Sequence, residues 1–457
     1  MILRHLLLPD ILELVEANRL NEVRDFLAKQ PAPEITDLLA ALDDKDALLI
    51  FRVLPRTLAD EVFSLLEPNL QNWMLKNMAQ EEVRQVLKGL TPDDRTALFE
   101  ELPARVVKGL LTLLNDKDRK LALTLLGYPE GSVGRLMTDR YVTVNPDWTV
   151  TQTLDHLRAA GMDSETMTMI YITDAEGHLV DDLRLRRLIL AAPMTRVRDL
   201  LDGHYASLTS LQDREEAVGI FQDYDLFALP VVDADNVLLG IVTVDDILDV
   251  AEEEATEDFH KMGTVRPLQV SLKDATIGLL FRKRIGWLLG LVVVNVFTAM
   301  GIKGFQTTIE KVAVLVSFMP LLIGSGGNAG SQAATLLVRA MATGDIDAKD
   351  WWSLFLRSMG GSLLIGAVMA AAIAVMSAFI LAGDPNQWKI MGIVSASMFA
   401  IVLMGSLIGT LLPMLLEKLH LDPASASAPL ISSVSDILGI LVYFSIATLF
   451  FRWLPIG

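Results

Sequence analysis

The stretch Ser358-Met-Gly-Gly-Ser-Leu-Leu-Ile-Gly-Ala-Val-Met-Ala-Ala-Ala-Ile-Ala-Val-Met-Ser-Ala-Phe-Ile-Leu-Ala-Gly383 runs for 26 residues without a charge. Roughly 20 apolar residues suffice to cross a bilayer as a helix. Outward from it, charge-free runs also cover 285–302, 312–338 and 390–416, while 423–451 is interrupted only by Asp436. The C-terminal portion therefore reads as five transmembrane helices. Upstream the character changes. The 457-residue chain is 52% hydrophobic with a formal charge of −18, yet from Arg282 onward 11 bases face 8 acids. Residues 1–281, with 28 bases against 49 acids, thus carry a net −21. Such a field repels nucleic acid and attracts cations. The absence of Cys excludes disulfides, thiolate metal sites and Cys nucleophiles. An opening apolar run cut by Arg4, His5, Pro9 and Asp10 is too interrupted for a secretory signal, so the acidic portion is expected in the cytoplasm. Seven of the later bases then lie inside and four outside, following the positive-inside tendency, and five spans leave the C-terminus outside.

Two features of the spans are costly. Asp436 sits near the middle of the last one, where a carboxylate is disfavoured unless it faces water or a bound cation. No Lys, Arg or His lies inside any span, so an exogenous cation is the expected partner. In the second span, Pro320-Leu-Leu-Ile-Gly-Ser-Gly-Gly-Asn-Ala-Gly-Ser-Gln332 packs a Pro and four Gly into what should be helix. Either the helix breaks to frame an ion path, or the small residues allow close helix packing. The polar Asn328 and Gln332 favour the pore lining, which would include Gly326, Gly327, Gly330 and, on the last span, Ser432.

In residues 1–130, Leu39, Leu42, Asp46, Phe51, Leu54 and Pro55 recur 48 positions later as Leu87, Leu90, Asp94, Phe99, Leu102 and Pro103. That repeat predicts stacked helical pairs. From 131 to 258, short apolar runs at 141–144, 169–172, 228–232 and 238–243 alternate with helical stretches, giving two α/β units. The later unit ends in Gly240, Ile241, Val242, Thr243 and Asp246 and resembles the CBS module, whose Thr and Asp commonly hold a nucleotide ribose; ATP at Thr243 and Asp246 is what that resemblance implies. The earlier unit departs from it, with Asp181, Arg184 and Arg187 at the matching positions. Eight acids then fall within residues 245–258 with no base. Like charges stacked at helical spacing destabilise a helix, and hard oxygen ligands suit Mg²⁺ or Ca²⁺.

A helical N-domain (1–130), a tandem CBS pair (131–258), a connecting helix (259–284) and a five-helix pore domain (285–457) together resemble the MgtE family of magnesium channels. The strongest motifs are Pro320 to Ala340 and Leu421 to Asp436. The resemblance implies a homodimer in the cell membrane, with Asp436 binding hydrated Mg²⁺ between subunits and cytoplasmic Mg²⁺ closing the channel. It implies sensor acids at Asp213, Glu215, Asp225, Asp246, Asp249, Glu254, Glu257 and Asp258, with Asp93 and Asp94 from the N-domain. The connecting helix would transmit closure to Arg282, Lys283 and Arg284. Rival readings are an ion-coupled carrier of Mn²⁺ or Co²⁺ and a non-conducting Mg²⁺ sensor. No paired-His metal spacing, P-loop or nucleophile–base pattern points to an enzyme, and neither a nucleic-acid nor a protein substrate is expected.

Overall fold

The computed structural model describes residues 8–453 except 18, 162–163, 267, 269–271, 273–274, 343–345 and 347–350. The chain forms two compact units, Met1–Glu252 and Glu253–Gly457.

Among the described residues the first unit opens with ten helices: α1 (Leu8–Glu16), α2 (Leu20–Leu27), α3 (Ala32–Leu39), α4 (Asp44–Val53), α5 (Arg56–Ser64), α6 (Pro68–Asn77), α7 (Gln80–Gly89), α8 (Pro92–Glu100), α9 (Ala104–Leu111) and α10 (Asp116–Leu125). The sequence repeat is visible in how α4 and α8 start and stop. Asp43 caps α4 by accepting the Asp46 N–H at 2.9 Å, and Thr91 caps α8 by accepting the Asp94 N–H at 3.4 Å. Phe51 and Leu54 are buried in one copy and Phe99 and Leu102 in the other. Pro55 and Pro103 then open α5 and α9.

After the short α11 (Val133–Leu136) come two matching sheets. The first contains β1 (Thr143–Val144), β2 (Met169–Thr173) and β3 (Leu179–Arg184), with α12 (Val150–Ala160) between β1 and β2 and α13 (Leu185–Leu190) after β3. The second repeats this with β4 (Leu208–Thr209), α14 (Arg214–Tyr224), β5 (Ala228–Val232) and β6 (Leu238–Thr243). In each, a parallel pair precedes an antiparallel hairpin. The two hairpin turns clasp each other, Leu179 N–H donating to the Asn236 carbonyl at 2.9 Å and Leu238 N–H to the Gly177 carbonyl at 3.1 Å. Gly240 is glycine for a packing reason: a Cβ there would lie 2.9 Å from the Thr138 carbonyl oxygen, which accepts the Ile241 N–H.

α15 (Val244–Met262) carries the acid run. Residues 259–284 are not one helix. α15 stops at Met262, Thr264 takes the left-handed conformation (φ 57°), and α16 (Ile277–Gly304) starts where Thr276 accepts the Leu279 N–H at 3.3 Å. Gly263 followed closely by Pro267 is the composition that ends helices.

The second unit continues with α17 (Gln306–Lys311), α18 (Leu315–Ala342), α19 (Trp351–Ile380), α20 (Gln387–Lys418) and α21 (Ala428–Trp453). Among the described residues four helices are long and apolar enough to cross a membrane: α16, α19, α20 and α21. The glycine and polar content of α18 sets it apart from them, although it is 28 residues long. It packs on α20 and α21, with Phe318, Leu322, Ile401, Tyr443 and Phe444 in the shared core. Tyr443 hydroxyl donates to the Leu315 carbonyl at 2.8 Å, pinning the start of α18 to α21. α16 buries no residue and presents Val293, Val296 and Phe297 outward, a surface suited to lipid.

Candidate metal-ion sites

Asp436 lies on the third turn of α21, half-buried, and makes no hydrogen bond or ion pair among the described residues. One turn earlier Ser432 packs on α18, where a Cβ added to Gly327 would stand 2.6 Å from its Oγ.

The glycine-rich stretch differs from the broken helix expected of it. α18 is continuous through Pro320 and all four glycines. Gly324 faces open space, but the other three glycines serve proximity: a Cβ at Gly330 would be 2.7 Å from the Gly405 carbonyl oxygen and 2.8 Å from Ile431, and one at Gly326 would be 2.5 Å from Ile401. Gly405 and Gly409 of α20 answer in kind, abutting the Gly326 and Gly330 carbonyls. Two small-xxx-small faces thus interlock, which is the packing alternative. Gly326 and Gly330 are buried in that seam and Gly327 against Ser432 of α21, whereas Asn328 and Gln332 are exposed on the opposite face, in line with Thr335. A polar stripe on a helix among apolar spans needs an aqueous or protein neighbour.

In the first unit a second group of carboxyls converges from distant parts of the chain. Asp93 and Asp94 come from the first turn of α8, Asp245 and Asp246 from the first turn of α15, and Glu165 from the segment after α12. Thr243 hydroxyl donates to Asp246 Oδ2 at 2.7 Å, orienting that carboxyl. Burial first, and then the other acids, push these groups out of the ordinary carboxylate range. Asp94 reaches about 6, with Asp93 its chief charged neighbour; Asp246 reaches about 8, again against Asp93. Glu165, exposed as a residue, is still pushed up to about 7 by its surroundings and by Asp93. Asp93 itself is buried, raised in the same way, and its Oδ1 has no hydrogen-bond partner among the described residues. Arg140 relieves part of the repulsion on Asp93, Asp94 and Glu165. Like charges held this close favour either protons or a divalent cation.

The other acids singled out in the sequence do not join this group. Asp213 caps α14 by accepting the Glu215 N–H at 2.9 Å, Glu215 sits in that first turn, and Asp225 ends the same helix in the left-handed conformation (φ 49°). Their positions have local structural uses. Asp249 is exposed on α15. Further along α15, in the second unit, Glu257 and Asp258 meet a base. Lys261 Nζ is 2.7 Å from Glu257 and 2.6 Å from Asp422, which precedes α21. Although burial works the other way, these carboxylates hold the Lys261 ammonium well above its ordinary value. Asp258 is raised by burial, then by Asp422, with Glu254 and Glu257 adding smaller pushes. Glu165, Arg140 and the Lys261–Asp422 pair were missed from the sequence. Asp422 had a signal, since Asp before Pro423 reads as a cap, and its Oδ1 accepts the Ala424 N–H at 2.8 Å.

The departure of the earlier α/β unit from the nucleotide pattern has a structural use. Asp181 Oδ2 accepts the Asp202 and Gly203 N–H groups at 3.2 and 3.0 Å. Its carboxylate ties backbone together.

Comparison with known proteins agrees with this architecture. A family model described as a divalent cation transporter matches residues 319–446, that of the MgtE intracellular N domain matches 30–131, and that of the CBS domain matches 197–253. The magnesium transporter MgtE of Thermus thermophilus is 37% identical over 424 residues, covering 90% of this chain and 92% of that protein. The Bacillus subtilis magnesium transporter MgtE is 32% identical over 457 residues, covering 96% and 97%. The crystal structure of the cytosolic domain of the Mg²⁺ channel MgtE in complex with ATP aligns with a TM-score of 0.51 at 33% identity, over 53% of this chain and 99% of that one. The soluble part of a magnesium transporter aligns with the same score at 29% identity, over 54% and 98%.

Proposed function

This chain belongs to the MgtE family of magnesium transporters, and from that membership we propose that it is a Mg²⁺-selective channel of the cell membrane that cytoplasmic Mg²⁺ closes. The observation that carries the reading is Asp436: a half-buried carboxylate in an apolar helix with no protein cation against it among the described residues. Mg²⁺ dehydrates reluctantly and is held through few carboxylates with waters retained. One Asp per subunit, doubled by a two-fold axis, suits such an ion better than a cage. In a homodimer the exposed stripe of Asn328, Gln332 and Thr335 would face the path and the second subunit instead of lipid. α18 would be the fifth span, the acidic unit would lie in the cytoplasm and the C-terminus outside.

Regulation would act through the acids. Repulsion among Asp93, Asp94, Glu165, Asp245 and Asp246 is relieved by Mg²⁺, which binds the assembled group more tightly than the dispersed one and so shifts the balance toward it. Asp249, Glu254, Glu257 and Asp258 would bind further along α15, with Asp213, Glu215 and Asp225 contributing from α14. A relative's cytosolic domain holds ATP; the matching residues here would be Thr243 and Asp246, which already bind each other. Mg²⁺ flux into sealed liposomes tests the reading. Uptake should follow an imposed membrane potential without any Na⁺ or H⁺ gradient, and Asp436→Ala should abolish it while the protein still folds and dimerises. Normal uptake by that variant, or uptake that requires a coupling gradient, would overturn the channel assignment.

A further inference from the structure

The strongly acidic first unit contains a cleft lined by bases. It encloses about 510 Å³ between α7, α8 and α10 on one side and residues 139–141 with Ala160, Ser164 and Glu165 on the other. That lies within the range of roughly 300–1,000 Å³ typical of small-molecule sites. Lys88 from α7, Arg95 from α8, Lys117 from α10 and Arg140 converge on it. Asp118, Asp139 and Glu165 also reach it, so four bases face three acids in a portion of chain whose overall balance is the reverse.

Arg95 is the informative side chain. It is 2% exposed, and one terminal nitrogen donates to the Leu87 carbonyl at 3.1 Å. Asp118 stands 3.9 Å away, and the buried Nε has no partner among the described residues. Arg140 lies within electrostatic reach of it, a like charge, and donates to the Leu90 carbonyl at 3.3 Å. Asp118, Asp139 and Asp93 lie within electrostatic reach of Arg95, yet none of them supplies an acceptor to its Nε, which leaves a buried guanidinium N–H open to an oxyanion beside a second guanidinium and a polar cavity. Phosphate is the complementary group, because planar guanidinium forks bind its oxygens in pairs. Tyr141, Pro92 and Leu121 supply apolar wall for whatever the phosphate is attached to.

We propose that this cleft binds a small phosphorylated metabolite, its phosphate held between Arg95 and Arg140 with Lys88 and Lys117 at the rim. Thr243 is not among the residues that line the cleft, and the existence of the site does not depend on whether the chain conducts ions.

The test is calorimetric titration of the full-length protein in detergent and EDTA with inorganic pyrophosphate. One saturable site per chain is expected. Arg140→Gln, and the rim double variant Lys88→Gln with Lys117→Gln, should each weaken binding by about tenfold or more, the scale of a lost hydrogen bond to a charged group. Absence of saturable binding in the parent would overturn the proposal, as would parent-like binding by Arg140→Gln. If Arg140→Gln melts early, the exposed lysine pair decides on the same criterion. Sugar phosphates and nucleoside monophosphates are then tried as competitors; failure of all of them would overturn the metabolite class.

Discussion

The two ends of α15 carry similar charge and answer it differently. At its start, Asp245 and Asp246 stand against Asp93, Asp94 and Glu165, and Arg140 offsets only part of the repulsion. Near its end, Glu257 is paired with Lys261, whose ammonium also reaches Asp422. An amine tethered on a flexible stem does permanently what a divalent cation does on demand. The first end should therefore respond to Mg²⁺ strongly, and the second against a background already partly neutralised. Acid density alone, which is continuous along 245–258, does not distinguish them.

The largest effect expected from this contrast is a pH-dependent stability that Mg²⁺ removes. Asp94, Glu165 and Asp246 are raised to about 6, 7 and 8 from ordinary values of 3.8 to 4.5. A group whose folded-state pKa is raised favours the folded state when protonated, so this stability is present in full at acid pH and lost as pH climbs through those values. In EDTA the midpoint of thermal unfolding of the first unit should fall between pH 5 and pH 8, by on the order of 10 °C for several interacting carboxyls. Saturating Mg²⁺ should flatten the profile. A flat profile in EDTA would mean that the acids are not held together without metal, and the contrast between the two ends would be lost.

A smaller effect is expected at the other end. Lys261→Met leaves Glu257, Asp258 and Asp422 without their tethered cation and makes this end resemble the first. A partly buried pair broken on one side costs about 1–3 kcal/mol, so the second unit should melt a few degrees lower in EDTA. Mg²⁺ should restore more of that loss in the variant than it adds to the parent. Equal Mg²⁺ stabilisation in both would show that Lys261 and Mg²⁺ do not act on the same carboxylates.

What the sequence discloses follows the same division between local and distant chemistry. The N-terminal repeat, the hairpins and the long apolar runs are legible because period, turn residues and composition are written within a few dozen residues. The acids of the first cluster are only half legible. Asp246 and Asp94 stand out in a run or a repeat, but Glu165 and Arg140 become neighbours of them through folding alone. α18 fails for another reason. Glycines that could break a helix are equally glycines that let another backbone approach, and the deciding signal, Gly405 and Gly409 four apart on α20, lies some 80 residues downstream. Neither helix is informative without the other.

The repeat offers the finest comparison, because Asp46 and Asp94 hold the same place in two copies of one motif. Both follow a capping residue, Asp43 or Thr91, and both supply a capped N–H from the first turn of their helix. Asp46 lies half-exposed at the start of α4, whereas the Asp94 carboxyl is crowded by Asp93 and Asp245. Asp46→Asn keeps the backbone cap and gives up only a favourable charge near a helix N-terminus, a loss of about 0.5 kcal/mol or less, unaffected by Mg²⁺. Asp94→Asn should do the reverse: it removes repulsion, raises the melting point in EDTA by about 3 °C at pH 8, and reduces the further gain on adding Mg²⁺. Because backbone position and capping are matched, a difference in sign between the two variants isolates the surroundings of the carboxyl. Two variants that behaved alike would mean that position in the helix, and not the assembled cluster, determines what these acids do.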